Sequence, residues 1–117
     1  MKDPLRENRI MAELDIGIRD ERDVTVLDLD GDVVYGDTND HLRAAIRKVL
    51  AEGTSKLCVD LSDVNYLDSS GVGELISALV AVNRENGTLT IRNPSDKVLT
   101  LLEISQLTNI FDLEFNH

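Results

Sequence analysis

The sequence predicts a single α/β domain in which helices pack on a mixed, mostly parallel sheet. Apolar residues alternate with polar ones at period two in some stretches and recur at helical spacing in others. These stretches follow the order β-β-α-β-α-β-α-β, and strands that alternate with helices pair in parallel through right-handed crossovers. The chain has 117 residues, of which 42% are hydrophobic, so it can bury one core without disulfides or metal.

The domain is expected to span residues 13–117, after a tail at residues 1–12. The tail is polar, carries mixed charge and contains Pro4, and Met11 is an alternative start. It lacks the apolar segment of a secretory signal, and no run in the chain is apolar enough to insert into a membrane. Because the one cysteine, Cys58, cannot form an internal disulfide, the sequence predicts a cytoplasmic protein.

The charge of the chain limits the partners that it can have. A net charge of -10 argues against nucleic acid, whose phosphates would be repelled. Aromatic residues make up only 3% of the chain, so few side chains could stack on bases. An acidic surface suits a protein partner with a basic patch. A monomer is expected, because no apolar surface helix stands out.

The first predicted elements are two strands joined by a polar turn. Apolar residues alternate along residues 14–19 and, less regularly, along residues 24–29, with the acidic and basic residues 20–23 between them. This pattern predicts an antiparallel hairpin. A break at Gly31 and Asp32 follows it.

The first predicted helix begins after the loop at residues 31–36. Asp37, Thr38 or Asn39 could cap its N-terminus. Its apolar face consists of Leu42, Ile46, Val49 and Leu50. Gly53 lies where the end of a helix favours a left-handed residue.

The next strand, residues 57–61, is almost continuously apolar, which is typical of a central strand covered on both faces. Cys58 within it is expected to be a buried small hydrophobe and not a reactive thiol. A turn is predicted at residues 62–65. The second helix then ends near Asn86 and Gly87, and its apolar face consists of Val72, Leu75, Ile76, Leu79 and Val82.

Three further elements complete the predicted domain. Residues 88–91 form a strand, and the third helix is expected to use Asn93 as its cap and Pro94 in its first turn. The apolar face of this helix consists of Val98, Leu101 and Leu102. Residues 112–115 could add a short last strand.

Residues 68–73, Asp-Ser-Ser-Gly-Val-Gly, lie between the apolar strand and the second helix. A serine at such a junction can cap the helix, and a phosphate there would be stabilised by unpaired N–H groups and by the helix dipole. Gly71 and Gly73 remove side chains beside the serine, so another protein could approach closely. On spacing alone, a simple helix cap is the commoner explanation of these residues.

The run from residue 57 to residue 82 resembles the signature of the STAS domain family, whose bacterial members include the anti-sigma factor antagonists. In that family an apolar strand precedes an acidic turn, an aromatic or apolar pair, Asp-Ser-Ser-Gly-apolar-Gly and a helix. Here Tyr66 and Leu67 are the pair, and residues 68–73 are the motif. Later segments match as well, and the resemblance covers residues 14–115; the later matching segments are Asn86-Gly87, Pro94-Ser95 and Leu101-Leu102-Glu103-Ile104.

The resemblance implies a partner-switching mechanism. The unphosphorylated chain would bind an anti-sigma factor that is also a serine kinase with the ATP-binding fold of histidine kinases, and binding would free the sigma factor. The kinase would phosphorylate the second serine, here Ser70, with Ser69 as a second candidate. A PP2C-type phosphatase would then restore the hydroxyl. The partner-binding residues implied are Asp32, Asp68, Ser69, Ser70, Gly71, Val72 and Gly73.

Two segments depart from the family pattern. Gln106 stands where the family often has glycine after the last helix, so that helix end is expected to differ. The loop at residues 31–37 is more apolar and richer in glycine than usual, which bears on the identity of the partner. For Asp32, a simple turn role is the alternative to partner binding.

The sequence argues against catalysis. No Gly-x-Ser-x-Gly elbow surrounds Ser70, and no phosphate-binding loop or metal-ligand spacing occurs, so neither a cofactor nor a metal is expected. Neither histidine is clearly placed as a base, and His41 is expected to be a solvated helix residue, while His117 is the C-terminal residue.

Two further classes of protein are alternatives to the switch. A receiver-type aspartate acceptor would use Asp60 with Asp28, Asp30 and Lys97, but the initial hairpin argues against that fold. A STAS scaffold subunit of a stressosome-like or transport-accessory complex is the alternative within the family.

Overall fold

The computed structural model describes residues 13–116, which form a five-stranded sheet and three helices. The strands lie in the spatial order β1 to β5 and are β1 (Leu14–Glu21), β2 (Val24–Val33), β3 (Lys56–Leu67), β4 (Thr88–Arg92) and β5 (Asp112–Glu114). The helices are α1 (Asp37–Ala51), α2 (Ser69–Arg84) and α3 (Asp96–Ile104). Strands β1 and β2 pair antiparallel and the other neighbours pair in parallel, which confirms the predicted fold class and element order. The predicted tail, Met11 and His117 lie outside the described residues.

The three helices lie on one face of the sheet. Helix α1 connects β2 to β3, α2 connects β3 to β4, and α3 connects β4 to β5, so the chain always moves one strand further across the sheet. Right-handed crossovers then place all three helices on the same face. Alternate side chains of the strands meet the helices there in one apolar cluster. Its fully buried members include Leu27, Leu29, Leu42, Leu57, Leu61, Leu75, Leu89, Ile91 and Leu102.

The opposite face of the sheet carries ion pairs and no helix within residues 13–116. Arg92 is 7% exposed, and its guanidinium lies 3.1 Å from the Glu21 carboxylate and 3.0 Å from that of Glu114. Cys58 on the same face is 1% exposed, which confirms its expected burial. Burial raises the pKa of this thiol to about 11, although the charge of Arg92 acts in the other direction. The central strand is therefore covered by helices on one face only, and charged side chains cover the other.

Strand β3 is longer than the sequence predicted, and the turn expected at residues 62–65 is wrong. The strand continues to Leu67, which pairs with Val33 of β2. The pairing of β2 with β3 shifts register twice, and each time β3 contains one residue more than the stretch of β2 beside it. These two bulges in β3 accommodate its polar residues within the strand. Val64 and Leu67, both 1% exposed, keep this part of β3 in the core.

The three helices end in the same way. At each C-terminus a left-handed residue follows the cap, and two backbone N–H groups turn back to bond the last carbonyls. The left-handed residues are Gly53, Asn86 and Gln106, with φ of 94°, 60° and 59°. Helix α3 thus ends like the other two, although its left-handed residue is glutamine. The different helix end expected at Gln106 is not found, and only the residue type differs.

The helix starts differ from the predicted caps. Helix α1 begins after Gly36 and has no side-chain cap, because Thr38 bonds both backbone groups of Val34 instead. Helix α3 is capped by Ser95, whose hydroxyl accepts a bond from the Val98 N–H. Asn93 lies before that helix and binds the Asn116 N–H through its side-chain oxygen at 2.6 Å.

Candidate phosphorylation and partner-binding site

Ser70 lies in the first turn of α2, at the end of the sheet where β2 and β3 finish. The two strands are paired up to Val33 and Leu67, and the Asp68 N–H then donates to the Val33 carbonyl at 3.1 Å. The carboxyl ends of parallel neighbours share one edge, so the loops that follow them lie side by side. The loop between β2 and α1 is therefore placed next to the start of α2.

Asp68, and not a serine, caps α2. Its Oδ1 accepts bonds from the Gly71 N–H at 2.9 Å and from the Ser70 hydroxyl at 2.6 Å. Its Oδ2 accepts a bond from the Tyr35 N–H at 2.9 Å. Because the aspartate takes the capping role, the Ser70 hydroxyl is held in one orientation without capping the helix itself.

The carboxylate of Asp68 is stabilised in its charged form. Partial burial by itself would raise its pKa, but the bonds donated by the Ser70 hydroxyl and by the backbone N–H groups of Tyr35, Gly71 and Ser70 outweigh that effect. The pKa of Asp68 is therefore below its usual value, and the group is ionised at neutral pH. Any phosphate on Ser70 would be attached beside this negative charge.

The two glycines of the motif have different environments. A Cβ on Gly71 would run into the Val33 carbonyl oxygen and would lie 2.7 Å from Leu67 Cδ1, so Gly71 allows α2 to approach the end of β2. A Cβ on Gly73 would meet nothing within 4 Å. Only Gly73 thus has the open side that the sequence interpretation ascribed to both. Val72 is 8% exposed and belongs to the core, so it offers a partner its backbone and little of its side chain.

The accessible part of the site consists of the two serines, Asp32 and Tyr35. Ser69 is exposed, whereas Ser70 and Asp32 are half-buried. Asp32 pairs with Tyr66 near the end of β2, which places it at the same sheet edge as Ser70, and its N–H donates to the Glu13 carbonyl at 3.0 Å.

Tyr35 is a residue of the site that the sequence did not predict. Its side chain is 86% exposed, and Gly36 beside it has a left-handed φ of 106°. The available signal was an aromatic residue in a glycine-flanked loop of a chain with few aromatics. The bond from its N–H to Asp68, which also binds Ser70, spans 33 positions of sequence and required the tertiary structure.

An apolar groove adjoins the site between β3 and α3. Its cavity has a volume of about 190 Å³, and Tyr66 and Ile104 at its rim are 53% and 76% exposed. The other lining residues are Leu67, Lys97, Val98, Thr100 and Leu101.

The residues of the competing interpretations are not arranged as those sites require. His41 is exposed as expected, and its Nδ1 lies 3.1 Å from the Leu14 carbonyl oxygen. Asp60 accepts bonds from the N–H and hydroxyl of Ser62. Among residues 13–116, no three His, Cys, Asp or Glu side chains group as metal ligands would. In the same part of the chain, no helix has the length and apolar character needed to cross a bilayer.

Comparisons with known proteins agree with this fold. A family model described as "Mlab, STAS domain" matches residues 16–113. The anti-sigma-B factor antagonist of Bacillus subtilis strain 168 is 34% identical over 64 residues, which are 55% of this chain and 59% of that protein. The match therefore spans less than two thirds of this relative's length.

Two solved structures extend the comparison. An anti-sigma factor antagonist from Mycobacterium paratuberculosis has a TM-score of 0.73 at 25% identity, with 87% of this chain and 86% of that chain covered. The anti-sigma factor antagonist SpoIIAA in its unphosphorylated form has a TM-score of 0.75 at 20% identity, with 88% and 89% covered, and shares the fold. Since the family model covers most of the residues, with the Asp-Ser-Ser-Gly motif inside the match, the chain belongs to the STAS domain family.

Proposed function

We propose that this chain is an anti-sigma factor antagonist that works as a phosphorylation-controlled switch. In its unphosphorylated form it binds an anti-sigma factor that is also a serine kinase, and the sigma factor is released. The observation that carries this proposal is the Ser70 hydroxyl, half-buried at the start of α2 and held 2.6 Å from the Asp68 carboxylate. Relatives named as anti-sigma factor antagonists support it.

The environment of Ser70 explains why phosphorylation would end binding. A phosphate adds nearly two negative charges and three acceptor oxygens at the Ser70 oxygen. The adjacent Asp68 is already ionised, and no arginine or lysine within residues 13–116 forms an ion pair with it. An interface closed over Ser70 would have to bury both charges with no cation from this chain's described residues paired with Asp68, which is unfavourable unless the partner places donors against the phosphate itself.

The partner surface consists of the sheet edge around Ser70. Asp32, Asp68 and Ser69 give it polar character, and the open side of Gly73 allows another backbone to approach. Gly71 and Val72 contribute backbone atoms, because neither offers a side chain at the surface. With a net charge of -10, the chain suits a kinase whose docking face is basic.

The remaining partners follow from the same proposal. A PP2C-type phosphatase removes the phosphate from Ser70, the chain itself is not an enzyme, and the switch operates in the cytoplasm. The chain acts as a monomer that forms a one-to-one complex with the kinase.

Phosphosite mapping by mass spectrometry tests the proposal. The protein is purified from its native host as wild type, as Ser70→Ala and as Ser69→Ala. We expect phosphate on Ser70 that disappears in Ser70→Ala and persists in Ser69→Ala. We also expect Ser70→Asp to bind the kinase more weakly than Ser70→Ala does, with an unchanged fold. Phosphate confined to Ser69, or kinase affinity unaltered in Ser70→Asp, would contradict the proposed switch.

A scaffold or transport-accessory subunit is the second candidate. The matched family model is described as "Mlab, STAS domain", and this description names no antagonist. Size-exclusion chromatography of host lysate separates the two candidates. Co-migration with a megadalton assembly supports the scaffold, whereas a one-to-one complex with a small kinase supports the antagonist.

A further inference from the structure

We infer that Asp68 is a positioning residue that couples the phosphorylation state of Ser70 to the loop that presents Tyr35. Tyr35 would then be an anchor for the partner, whose backbone is held in the unphosphorylated state and released in the phosphorylated one. This inference rests on the proposed function, because it takes Ser70 as the phosphorylated residue.

The geometry of one carboxylate carries the inference. Oδ1 of Asp68 faces α2 and accepts from the Ser70 hydroxyl at 2.6 Å and the Gly71 N–H at 2.9 Å. Oδ2 faces the loop between β2 and α1 and accepts from the Tyr35 N–H at 2.9 Å. Since the two oxygens belong to one rigid group, a displacement of Oδ1 also displaces Oδ2.

Phosphorylation acts directly on this arrangement. Transfer of the γ-phosphoryl group from ATP forms a bond from phosphorus to the Ser70 oxygen and releases ADP and the hydroxyl proton. The bond from the Ser70 hydroxyl to Asp68 is lost, because its hydrogen is gone. A phosphate with nearly two negative charges then stands beside an ionised carboxylate, and the two groups repel each other. The carboxylate moves away from Ser70, and its bond to the Tyr35 N–H is weakened.

The structure of the loop confines the effect of losing the bond between Asp68 and the Tyr35 N–H to Tyr35. Val34 is held separately, because its N–H donates to the Thr38 hydroxyl and its carbonyl accepts from the same hydroxyl, both at 3.0 Å. Tyr35 is held to α2 through Asp68 and precedes Gly36, whose φ of 106° marks a sharp turn. The loss of the Asp68 bond therefore frees Tyr35 while Val34 stays in place.

Tyr35 has the properties of a partner anchor. Its side chain is 86% exposed, although the chain has only four aromatic residues, two of them tyrosine and two phenylalanine. Tyrosine is enriched among the residues that dominate binding energy, since it buries a large rigid area with one polar tip. A fixed backbone at Tyr35 lowers the entropy lost when its ring is immobilised by a partner.

Amide hydrogen exchange measured by NMR tests the coupling without any kinase. Phosphoserine is placed at position 70 during translation by genetic code expansion, and a second sample carries it at position 69. We expect the Tyr35 amide to exchange at least about tenfold faster with phosphoserine at 70, as for the loss of one charge-assisted hydrogen bond. The Val34 amide is expected to keep its rate. Phosphoserine at 69 adds the same charge one residue away, where the side chain is exposed, and is expected to leave Tyr35 unchanged.

Variants of Asp68 complete the test. In Asp68→Ala, the Tyr35 amide is expected to exchange fast without phosphate, and phosphoserine at 70 is expected to add no further change. Asp68→Asn keeps a side-chain oxygen and a good helix cap, so it yields a folded sample if the alanine variant is unstable. Its neutral amide is expected to show a smaller response to the phosphate.

Equal Tyr35 exchange in the samples with phosphoserine at 70 and at 69 would overturn the inference. Because the phosphate is installed during translation, this result is independent of whether the host ever phosphorylates Ser70. A chain that shows the coupling but carries no phosphate in its host would refute the proposed function and leave the coupling intact. The partner role of Tyr35 is refuted if Tyr35→Ala binds the purified anti-sigma factor kinase as tightly as wild type does.

Discussion

Replacement of Gly71 by alanine is expected to destabilise the fold, and replacement of Gly73 is not. In Gly71→Ala the new Cβ collides with the Val33 carbonyl oxygen and lies 2.7 Å from Leu67 Cδ1 and 2.9 Å from Val33 Cγ1. The oxygen belongs to the backbone and already accepts the Asp68 N–H, so it cannot rotate away. In Gly73→Ala the Cβ meets nothing within 4 Å.

The size of the effect follows from two opposing contributions. Overpacking of this kind costs about 1–3 kcal/mol, whereas alanine in a helix is favoured over glycine by about 0.8–1 kcal/mol. The second contribution is common to both variants, since both glycines lie in the first turns of α2 and neither has a positive φ. The difference in unfolding free energy between the two variants is therefore expected to be about 1–3 kcal/mol, with Gly71→Ala the less stable.

Urea denaturation followed by circular dichroism measures this difference. With a slope of about 1–3 kcal/mol per molar urea, the two midpoints should be separated by roughly 1 M. The slope itself should be the same, which shows that the variants unfold from equally compact states. If the two midpoints coincide, the close approach of α2 to β2 is not what requires glycine at position 71, and the packing argument fails.

Three further predictions concern the helix ends, the cap and the buried thiol. Gln106→Gly should raise the unfolding free energy by about 1 kcal/mol because glycine tolerates a φ of 59°, and Gly53→Ala at the equivalent end of α1 should lower it by a similar amount in urea titrations. Because the pKa of Asp68 is lower in the folded state, its ionisation contributes stability that is present above the usual pKa of 3.8 and is lost as the pH falls through the folded pKa. The difference in unfolding free energy between wild type and Asp68→Asn should therefore shrink in that acid range, and a difference that stays constant with pH would contradict this. Arg92→Ala should uncover Cys58, so that a disulfide reagent at pH 8 reacts faster than with wild type although the loss of the Arg92 charge raises the pKa of the thiol; equal or slower rates would show that access gained at Cys58 does not control its reactivity.

Local patterns were sufficient to predict the element order. Helix α2 was predicted from an apolar face at helical spacing, and Val72, Leu75 and Val82 of that face are buried. The left-handed residue at Gly53 and the end of α2 near Asn86 and Gly87 were predicted from residue type, because these residues follow a helix directly in sequence. These features depend on neighbours within a few positions, which is why the sequence alone reveals them.

The failed prediction of a turn in β3 depends on pairing between distant segments. The polar residues 62–65 resemble a turn, yet β3 continues through them because β2 pairs alongside and β3 bulges twice. The missing cap of α1 has a local cause instead. The Thr38 hydroxyl bonds the backbone of Val34, four residues earlier, so it does not cap the helix, which begins after Gly36.

Some features of the candidate site could be predicted from the sequence, and others required the tertiary structure. The sequence by itself determined the Asp-Ser-Ser-Gly motif and its place before a helix, because Asp68, Ser70 and Gly71 are near neighbours and their contacts are local. Only the tertiary structure decided that Tyr35 bonds the same carboxylate and that Gly71 must lack a side chain. Both depend on the parallel pairing of β2 with β3, which brings together backbone atoms more than thirty residues apart and has no signature in either segment taken alone.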